Sequence, residues 1–352
     1  MPECQVVDLF CGAGGLSLGL KNAGLSIVAG ADFEGDCRHA YSANTGANFH
    51  RLDILDTPPK KVANWYSPGA VKVLVGGPPC QAFSLLNMNT RGDEGRFDLI
   101  HAFMGIISEV SPDIIAMENV IYLKNTEGFR QFVSYLRRSG YSVSHIIAKS
   151  SDYGVPQLRR RLILLASKFG KISLEKPWEN SYPLVTLRDA IGHLPHIVHG
   201  ETCHYDSLHT AASLSNIDIA RVKASRPGGT WMELPKEILP KSYVKLLASD
   251  RGDKGTHFNS SYGRLEWDKL CFTITSKFRS IGSGRYTHPE QDRALSLREG
   301  ALVQTFPEDF EFYEMPEDIT PGSVARMIGN AVPVKLGEAI GRSILRHLRL
   351  VY

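Results

Sequence analysis

The sequence predicts an α/β fold built on a parallel sheet, and three observations support this prediction. Short apolar strands alternate with longer segments over the first 167 residues, which is typical of βαβ units covered by helices. Several of these strands end in glycine, proline or an acidic residue, where loops of such sheets carry ligands. The chain has 352 residues, of which 43% are hydrophobic and 22% charged, so it is long enough to bury a core and is not disordered throughout.

The expected elements can be placed in order. The first strand stops in glycines, and a helix follows that ends near Gly24, because glycine suits the end of a helix. The last segment is a helix with an apolar stripe of Leu336, Ile340, Ile344 and Leu348 on one face. This helix is expected to pack back onto the first domain. Five strands are predicted, at residues 6–10, 26–31, 71–75, 114–117 and 162–166.

Three segments are expected from the changes in pattern along the chain. Residues 1–167 form the first part of a catalytic and cofactor-binding domain. Residues 168–288, rich in Gly, Pro, Ser and His, form a smaller, irregular domain. Residues 289–352 return to the first domain. Residues 200–285 hold 13 Lys/Arg and 9 Asp/Glu, a net charge of +4 against +3 for the whole chain, so an anionic partner is expected there.

Composition narrows the class of protein further. Six cysteines are scattered without a C-x-x-C pair, which favours a reducing, cytoplasmic compartment over a disulfide framework. Neither these cysteines nor the histidines show metal-ligand spacing, so no metal is expected. No apolar run reaches the length of a membrane span, and no secretory signal is visible at the N-terminus.

A glycine loop follows the first strand. It reads Asp8-Leu9-Phe10-Cys11-Gly12-Ala13-Gly14-Gly15 and opens a helix, where glycines let the backbone approach a ligand closely. Asp32 ends the second strand, at the place from which a carboxylate grips ribose hydroxyls. Ser17 stands where a dinucleotide fingerprint requires its third glycine. The loop therefore favours an adenosine-type ligand without a pyrophosphate over NAD or FAD, although a tight turn without a ligand is also compatible with it.

Three further features carry possible chemistry. Cys80 follows two prolines in a glycine-rich loop where the third strand ends, which is a poor place for a core residue and a suitable one for a thiolate nucleophile. Glu118 ends an apolar run, either as a solvent contact or as a half-buried acid. Arg159 and Arg161 alternate before the last strand, so both could face the site, although a solvated basic face is the alternative.

These elements, in this order, resemble the DNA (cytosine-5) methyltransferase family. Gly77-Pro78-Pro79-Cys80-Gln81 resembles its nucleophile loop, Met117-Glu118-Asn119-Val120 its acid motif, and Gln157-Leu158-Arg159-Arg160-Arg161 its arginine motif. Arg293-Ala294-Leu295, Arg298-Glu299 and Phe306-Pro307 resemble the segment that braces its recognition domain. Gly329-Asn330-Ala331-Val332-Pro333 resembles its closing motif. The resemblance spans residues 5–348 and implies a Rossmann-like S-adenosylmethionine-dependent methyltransferase sheet with a target-recognition domain.

The resemblance also implies a reaction. Cys80 would attack carbon 6 of a flipped-out cytosine, and Glu118 would bind or protonate ring nitrogen 3, so that carbon 5 accepts a methyl group from S-adenosylmethionine. Arg161 would help to hold the base or the loop. Arg159 and Asn119 complete the expected catalytic group.

Cofactor and DNA contacts are carried over in the same way. The cofactor pocket is expected to contain the following residues: Phe10, Gly12, Ala13, Gly14, Gly15, Asp32, Phe33, Asp53, Ile54, Pro79, Leu99, Asn330 and Val332. The expected DNA contacts are Gln81, Ser84, Arg91, Arg96, Lys277, Arg279 and Arg285. The partner is double-stranded DNA bound by a monomer in the bacterial cytosol, with a possible separate cognate endonuclease.

Three alternatives remain open from the sequence. One branch of the family modifies tRNA, and Cys271-Phe272-Thr273 resembles a tripeptide of that branch, although similar residues occur in DNA-modifying relatives. A catalytically inactive relative is a second alternative, disfavoured because Cys80, Glu118, Arg161 and Asn330 are all present. An NAD-dependent enzyme is disfavoured by Ser17 and leaves the Pro-Pro-Cys loop unexplained.

Overall fold

A computed structural model of the chain describes residues 3–79, 98–180, 182–247 and 260–352. Strands β1 to β11 span Cys4–Leu9, Ser26–Asp32, Asn48–Arg51, Val71–Gly76, Ile114–Val120, Ser142–Lys149, Gln157–Leu158, Arg160–Ser167, Thr202–Cys203, Asp206–Thr210 and Cys271–Phe272. Helices α1 to α11 span Gly15–Asn22, Cys37–Thr45, Pro59–Ala63, Asp98–Val110, Glu127–Arg138, Leu187–Ile191, Asn216–Ala224, Lys241–Leu247, Leu297–Val303, Pro321–Asn330 and Val334–Val351. None of the helices within these ranges is both long and apolar enough to cross a membrane.

A seven-stranded sheet organises the described residues, in the order β3-β2-β1-β4-β5-β8-β6. The first five strands in this order are parallel, whereas β8 runs antiparallel to both β5 and β6. The central strands β1, β4 and β5 are almost entirely buried, as expected for strands covered on both faces. Their carboxyl ends therefore lie at one edge of the sheet, beneath the loops that carry the candidate site.

Helices cover the two faces of this sheet. On one face, Leu16 and Leu20 of α1 and Leu336 and Ile340 of α11 pack against alternate residues of β1, β4 and β5. On the other face, the contacts come from α4 and α5, for example through Phe103. A Cβ on Gly19 would lie 2.3 Å from the carbonyl oxygen of Val334, so this glycine permits the close crossing of α1 and α11. The predicted return of the C-terminal helix to the first domain is confirmed.

The segment from 168 to 288 consists mostly of loops and short helices in its described part. Leu265, Cys271 and Phe278 share a buried cluster with Tyr41 of α2 and Phe306, so this segment packs against both neighbouring segments. A fully buried ion pair braces it: Arg293 reaches both carboxylate oxygens of Glu299 at 2.7 Å. The proposed boundaries at 168 and 289 stay a prediction.

Comparison with the sequence expectations shows what the apolar pattern could and could not predict. The five predicted strands are present as β1, β2, β4, β5 and β8. Strand β6 was not predicted, because it is an edge strand with exposed His145 and Ile146 and therefore has no continuous apolar run. The predicted parallel sheet is confirmed for β3, β2, β1, β4 and β5. Strand β8 runs antiparallel to β5, and the sequence did not predict this, since strand direction is not encoded in a run of buried residues. Strand β5 also continues past Met117 to Val120.

Candidate active site

The candidate residues converge on the edge formed by the carboxyl ends of the parallel strands. The glycine loop follows β1, and Asp32 is the last residue of β2. Gly77 follows β4, and Glu118 lies two residues before the end of β5. Gly76 pairs with Met117 across the β4–β5 ladder, so Gly77 and Glu118 are at the same level. A Cβ on Gly77 would lie 3.1 Å from the carbonyl oxygen of Glu118. Gly77 therefore has no side chain at the point where this loop comes close to the backbone of Glu118.

The glycine loop has an unusual backbone that its residues explain. Phe10, Gly12 and Gly14 have φ angles of 62°, 51° and 94°, in the left-handed region that glycine adopts readily. A Cβ on Gly12 would meet no atom within 4 Å. The loop therefore presents an open backbone surface at Gly12, directly above the end of β1.

Asp32 fixes this loop. Its Oδ2 accepts a hydrogen bond from the backbone N–H of Gly12 at 2.8 Å, and its Oδ1 accepts one from Glu34 at 2.9 Å. Burial raises the pKa of Asp32, and these two hydrogen bonds oppose that rise. The carboxylate has further lone pairs available for a ligand, so holding the loop and gripping ribose hydroxyls are compatible roles.

A buried polar network beneath the loop was not found by sequence reasoning. Ser17 donates to Asp8 Oδ2 at 2.7 Å and lies 3.0 Å from the hydroxyl of Tyr41. Burial raises the pKa of Asp8 to about 7, against the lowering effect of the Ser17 hydrogen bond. Asp8 is the one charged residue in strand β1, and a charged residue in a strand with this apolar pattern was the available signal. The network ties β1, α1 and α2 together below the candidate cofactor surface.

The closing motif contacts the glycine loop directly. A Cβ on Gly15 would lie 2.4 Å from the carbonyl oxygen of Val332, so only glycine allows this approach. Asn330, the last residue of α10, is exposed, and Val332 is half-buried. Gln304 donates to the carbonyl oxygens of Ile328 and Ala331. The structure thus brings the closing motif, from the far end of the chain, beside the first loop.

The remaining cofactor candidates surround the same edge. Phe33 is 62% exposed, an unusual position for a large aromatic side chain next to a buried carboxylate. Asp53 follows β3, and its carboxylate accepts a hydrogen bond from the N–H of Leu55. Ile54 is buried, and Leu99 is half-buried among the side chains of the same cluster. Pro79 is exposed, and Ala13 is buried within the loop.

Glu118 and Arg161 form the central ionic contact of the site. Arg161 Nε lies 3.0 Å from Glu118 Oε1, and the two side chains are 17% and 10% exposed. The contact is electrostatic rather than a well-aligned hydrogen bond, because Oε1 has no hydrogen-bond partner among the described residues. The pairing follows from the register, in which Val120 of β5 is opposite Arg161 of β8. Glu118 is thereby held as a buried acid beside the guanidinium of Arg161.

Asn119 links this strand to the loop before Cys80. Its Nδ2 donates to the carbonyl oxygen of Pro78 at 2.9 Å, and its Oδ1 accepts from the N–H of Val120 at 2.8 Å. The residue is buried. It therefore positions the Pro-Pro segment relative to Glu118.

Arg159 is placed differently from the expectation that it shares a side with Arg161 in one strand. The backbone turns between β7 and β8, with the N–H of Arg159 donating to the carbonyl of Gln157 at 2.9 Å. The buried guanidinium donates to the carbonyl oxygens of Ile274 and Ala331, both at 3.0 Å. Arg159 thus joins the sheet to the segment 168–288, predicted above to be the recognition domain and called the recognition segment below, and to the closing motif. Its expected catalytic role stays a prediction.

The described DNA-contact candidates lie in the recognition segment. Lys277 is exposed, and Arg279 and Arg285 are half-buried. Burial lowers the pKa of both arginines, and the Nε atom of each is buried without a hydrogen-bond partner among the described residues. The guanidinium of Arg285 stacks over the ring of Phe272, 4.7 Å from its centroid. The predicted nucleophile Cys80 and the predicted DNA contacts Gln81, Ser84, Arg91 and Arg96 lie outside the described residues.

The tripeptide Cys271-Phe272-Thr273, which resembles one in tRNA-modifying relatives, lies at a short strand next to the arginine motif. Cys271 and Phe272 form β11, which pairs in parallel with Gln157 and Leu158 of β7. Cys271 is fully buried. Burial raises the pKa of its thiol, which disfavours a reactive thiolate there.

Comparison with known proteins agrees with this arrangement. A family profile for C-5 cytosine-specific DNA methylases matches residues 4–346. The chain is 41% identical over 347 residues to the Type II methylase M.HgiDII of Herpetosiphon aurantiacus, covering 97% of this chain and 95% of the relative. It is 30% identical to the Type II methyltransferase M1.HphI of Haemophilus parahaemolyticus, over 97% of this chain and 86% of the relative.

The fold also has solved counterparts. A prophage-encoded protein of Escherichia coli, described as a DNA modification methyltransferase, superposes with a TM-score of 0.73 at 22% identity, over 98% of this chain and 99% of that one. This likeness concerns the fold. Together with the profile match over nearly the whole chain, the relatives show that the chain belongs to the C-5 cytosine-specific DNA methylase family. By class it is a DNA cytosine-5 methyltransferase.

Proposed function

We propose that this protein transfers a methyl group from S-adenosylmethionine to carbon 5 of a cytosine in double-stranded DNA, at a specific sequence and through a covalent bond to Cys80. The observation that carries this proposal is the buried contact between Glu118 and Arg161 beside the loop that leads to Cys80. That pair lies at the same edge of the sheet as the open glycine loop. The acid and the surface proposed to bind the methyl donor are therefore on the same side of the molecule.

The chemistry divides among three residues. The Cys80 thiolate adds to carbon 6 of the cytosine, which ends the aromaticity of the ring and makes carbon 5 nucleophilic. Glu118 faces ring nitrogen 3 and offsets the charge that develops there, while Arg161 holds its carboxylate in place. Methyl transfer to carbon 5 leaves S-adenosylhomocysteine as the product. Solvent water then takes the proton from carbon 5, the electron pair of that C–H bond re-forms the double bond between carbons 5 and 6, and Cys80 leaves carbon 6 as a thiolate. Asn119 positions the loop through Pro78.

The residues around the glycine loop suit an adenosine-type ligand. The open surface at Gly12, the carboxylate of Asp32 and the exposed ring of Phe33 offer backbone, ribose and stacking contacts. Asp53 and Ile54 follow the neighbouring strand and would contact the adenine edge. S-adenosylmethionine, when bound, supplies the electrophilic methyl group. The part of the chain that the structure describes holds no group of three or more His, Cys, Asp or Glu arranged for a metal.

Duplex DNA is the substrate in this proposal, and the target cytosine leaves the helix to reach Glu118, because a stacked base is inaccessible. Lys277, Arg279 and Arg285 contact the DNA from the recognition segment. The unpartnered Nε atoms of the two arginines support this role, because buried donors require an acceptor and bases and phosphates supply one. We propose that the protein acts on DNA as a monomer.

The biological role follows from the relatives named as Type II methylases. We propose that the protein is the modification enzyme of a bacterial restriction-modification system and acts in the cytosol. A separate endonuclease would recognise the same sequence.

The proposal is tested by identifying the product. Purified protein, tritiated methyl-S-adenosylmethionine and unmodified plasmid DNA should yield label in 5-methyldeoxycytidine after digestion to nucleosides. Glu118→Gln should reduce the labelling strongly, whereas Glu127→Gln, at an exposed glutamate of α5, should not. Label in another nucleoside, or in tRNA but not in DNA, would contradict the proposal.

A further inference from the structure

A basic groove lies outside the site described above, between helix α5 and the edge strand β6. It encloses a volume of about 570 Å³. Phe129 and Val133 form its apolar floor, and the cationic or protonatable side chains around it are Lys124, Arg130, Arg137, Arg138 and His145. We call this feature the α5–β6 groove.

Most of its positive charge is not neutralised. Arg130 pairs with Glu127 at 2.6 Å, but Lys124, Arg137 and Arg138 have no acidic partner within the described residues and are exposed. Burial, together with the charges of Lys124 and Arg137, lowers the pKa of His145. Arginines in a last helical turn also favour the helix dipole. This interaction with the helix dipole is a structural reason for Arg137 and Arg138. It gives no reason for Lys124 or for the open volume beside these side chains.

The position of the groove next to the candidate active site indicates which kind of anion it binds. Strand β5, which carries Glu118, ends at Val120, and the turn Ile121–Asn125 that follows it carries Lys124. One end of the groove therefore adjoins the sheet edge that holds the candidate site. From there, the 12 residues of α5 extend the basic surface by about 18 Å, a length that corresponds to about five base pairs of duplex DNA.

We propose that the α5–β6 groove binds the phosphate backbone of the substrate duplex outside the methylated sequence. The inference rests on the function proposed above, because the polyanion that reaches Lys124 is the one that delivers a cytosine to Glu118. The groove contributes affinity without base readout, since arginine and lysine contacts to phosphates carry no sequence information.

The test compares two lengths of duplex that both contain the methylated sequence at their centre: a short one of about 8 base pairs, which ends before the distal part of the groove, and one extended to about 40 base pairs. The double variant Arg137→Ser, Arg138→Ser removes two exposed charges at the distal end of the groove. Lys60→Ser, Lys61→Ser on α3 removes two exposed charges elsewhere and serves as the matched control.

The groove variant should bind the long duplex roughly tenfold more weakly than the wild type, with a salt dependence whose slope is smaller by about 1.8. Its binding and methylation of the short duplex should be unchanged, and the control should match the wild type on both. Equal effects on the two lengths, or none on either, would overturn the inference while leaving the proposed function intact. Failure of the wild type to bind and methylate the long duplex would instead contradict the proposed function, and with it this inference.

Discussion

Asn119 donates a hydrogen bond from Nδ2 to the carbonyl oxygen of Pro78 at 2.9 Å, so the strand that carries Glu118 also holds the loop that leads to the proposed nucleophile, Cys80. Glu118 and Asn119 are adjacent, and their side chains leave β5 on opposite faces of the pleat. One short segment thus ties Pro78 of this loop to the strand that carries Glu118.

Asn119→Ala removes that link without placing a charge in the core. We expect kcat to fall by roughly tenfold to a hundredfold, because misplacing a reacting group is costly, while the affinity for S-adenosylmethionine stays near that of the wild type. Steady-state kinetics and calorimetry measure the two quantities. Asn125→Ala, at an exposed asparagine beyond β5, is the control. An unchanged kcat for Asn119→Ala would show that the loop is positioned by other contacts.

Arg161→Met tests the ionic contact with Glu118. The variant leaves a carboxylate that is 8% exposed without its cation, so the free energy of unfolding should fall by about 3 kcal/mol. Adding Glu118→Gln should recover most of this stability, although the double variant should remain inactive. Urea unfolding at neutral pH measures the effect.

The exposed pair of Arg130 and Glu127 provides the comparison for that experiment, because Arg130→Met should change stability little. A double variant as unstable as Arg161→Met alone would contradict the assignment of the loss to an unpaired Glu118.

The buried Asp8 predicts a pH dependence of stability. Its pKa in the folded protein is about 7, above the value near 3.9 expected for the unfolded chain. The neutral form is therefore favoured by folding, and this contribution is present below about pH 4 and is lost as the pH rises through 7. Asp8→Asn should flatten the decline in the free energy of unfolding between about pH 4 and about pH 7.

Asp36→Asn, at an aspartate whose side chain is 51% exposed, should keep the wild-type pH profile. Urea titrations across this pH range make the comparison. Parallel profiles for the wild type and Asp8→Asn would refute the view that Asp8 is mainly neutral in the folded protein.

Variants of Phe33 and Asp32 should distinguish stacking against the cofactor from support of the glycine loop. Phe33→Ala removes an exposed ring, so stability should be retained while the dissociation constant for S-adenosylmethionine rises roughly fivefold. Asp32→Ala should weaken binding and also destabilise the loop, because Gly12 loses its acceptor. Calorimetry and thermal unfolding distinguish the two variants. Tyr122→Ala, at another exposed aromatic residue, is the control, and wild-type affinity in Phe33→Ala would exclude the ring from the pocket.

Much of the central fold could be predicted because its strands are buried on both faces. Strands β1 and β4 are mostly apolar and almost entirely buried, and they end at the loops that carry the glycines and Cys80. Strand β6 could not be predicted in this way, because its outer edge and its exposed Ile146 face solvent. The direction of β8 depends on its pairing with β5, which no local pattern contains.

The sequence predicted those parts of the candidate site that depend on residues close together in the chain, and not those that depend on long-range contacts. The alternation of Arg159 and Arg161 suggested a shared face, but a backbone turn at Arg159 sends its side chain to the carbonyl oxygens of Ile274 and Ala331. The contact of Gly15 with Val332 joins residues more than 300 positions apart. Such contacts depend on the packing of α10 and α11 and not on any motif taken alone.

The most direct test of the central claim is covalent trapping. Fluorine at carbon 5 of the target cytosine blocks loss of the proton from that carbon, so the bond between Cys80 and carbon 6 persists. Duplex DNA containing 5-fluorocytosine and tritiated methyl-S-adenosylmethionine should give a labelled complex that survives denaturation. The complex should be absent with Cys80→Ser and present with Cys203→Ser, at a half-buried cysteine of β9. A trapped complex that persists in Cys80→Ser would contradict the assignment of the nucleophile. So would its absence from the wild type on a duplex that the enzyme methylates when it contains cytosine.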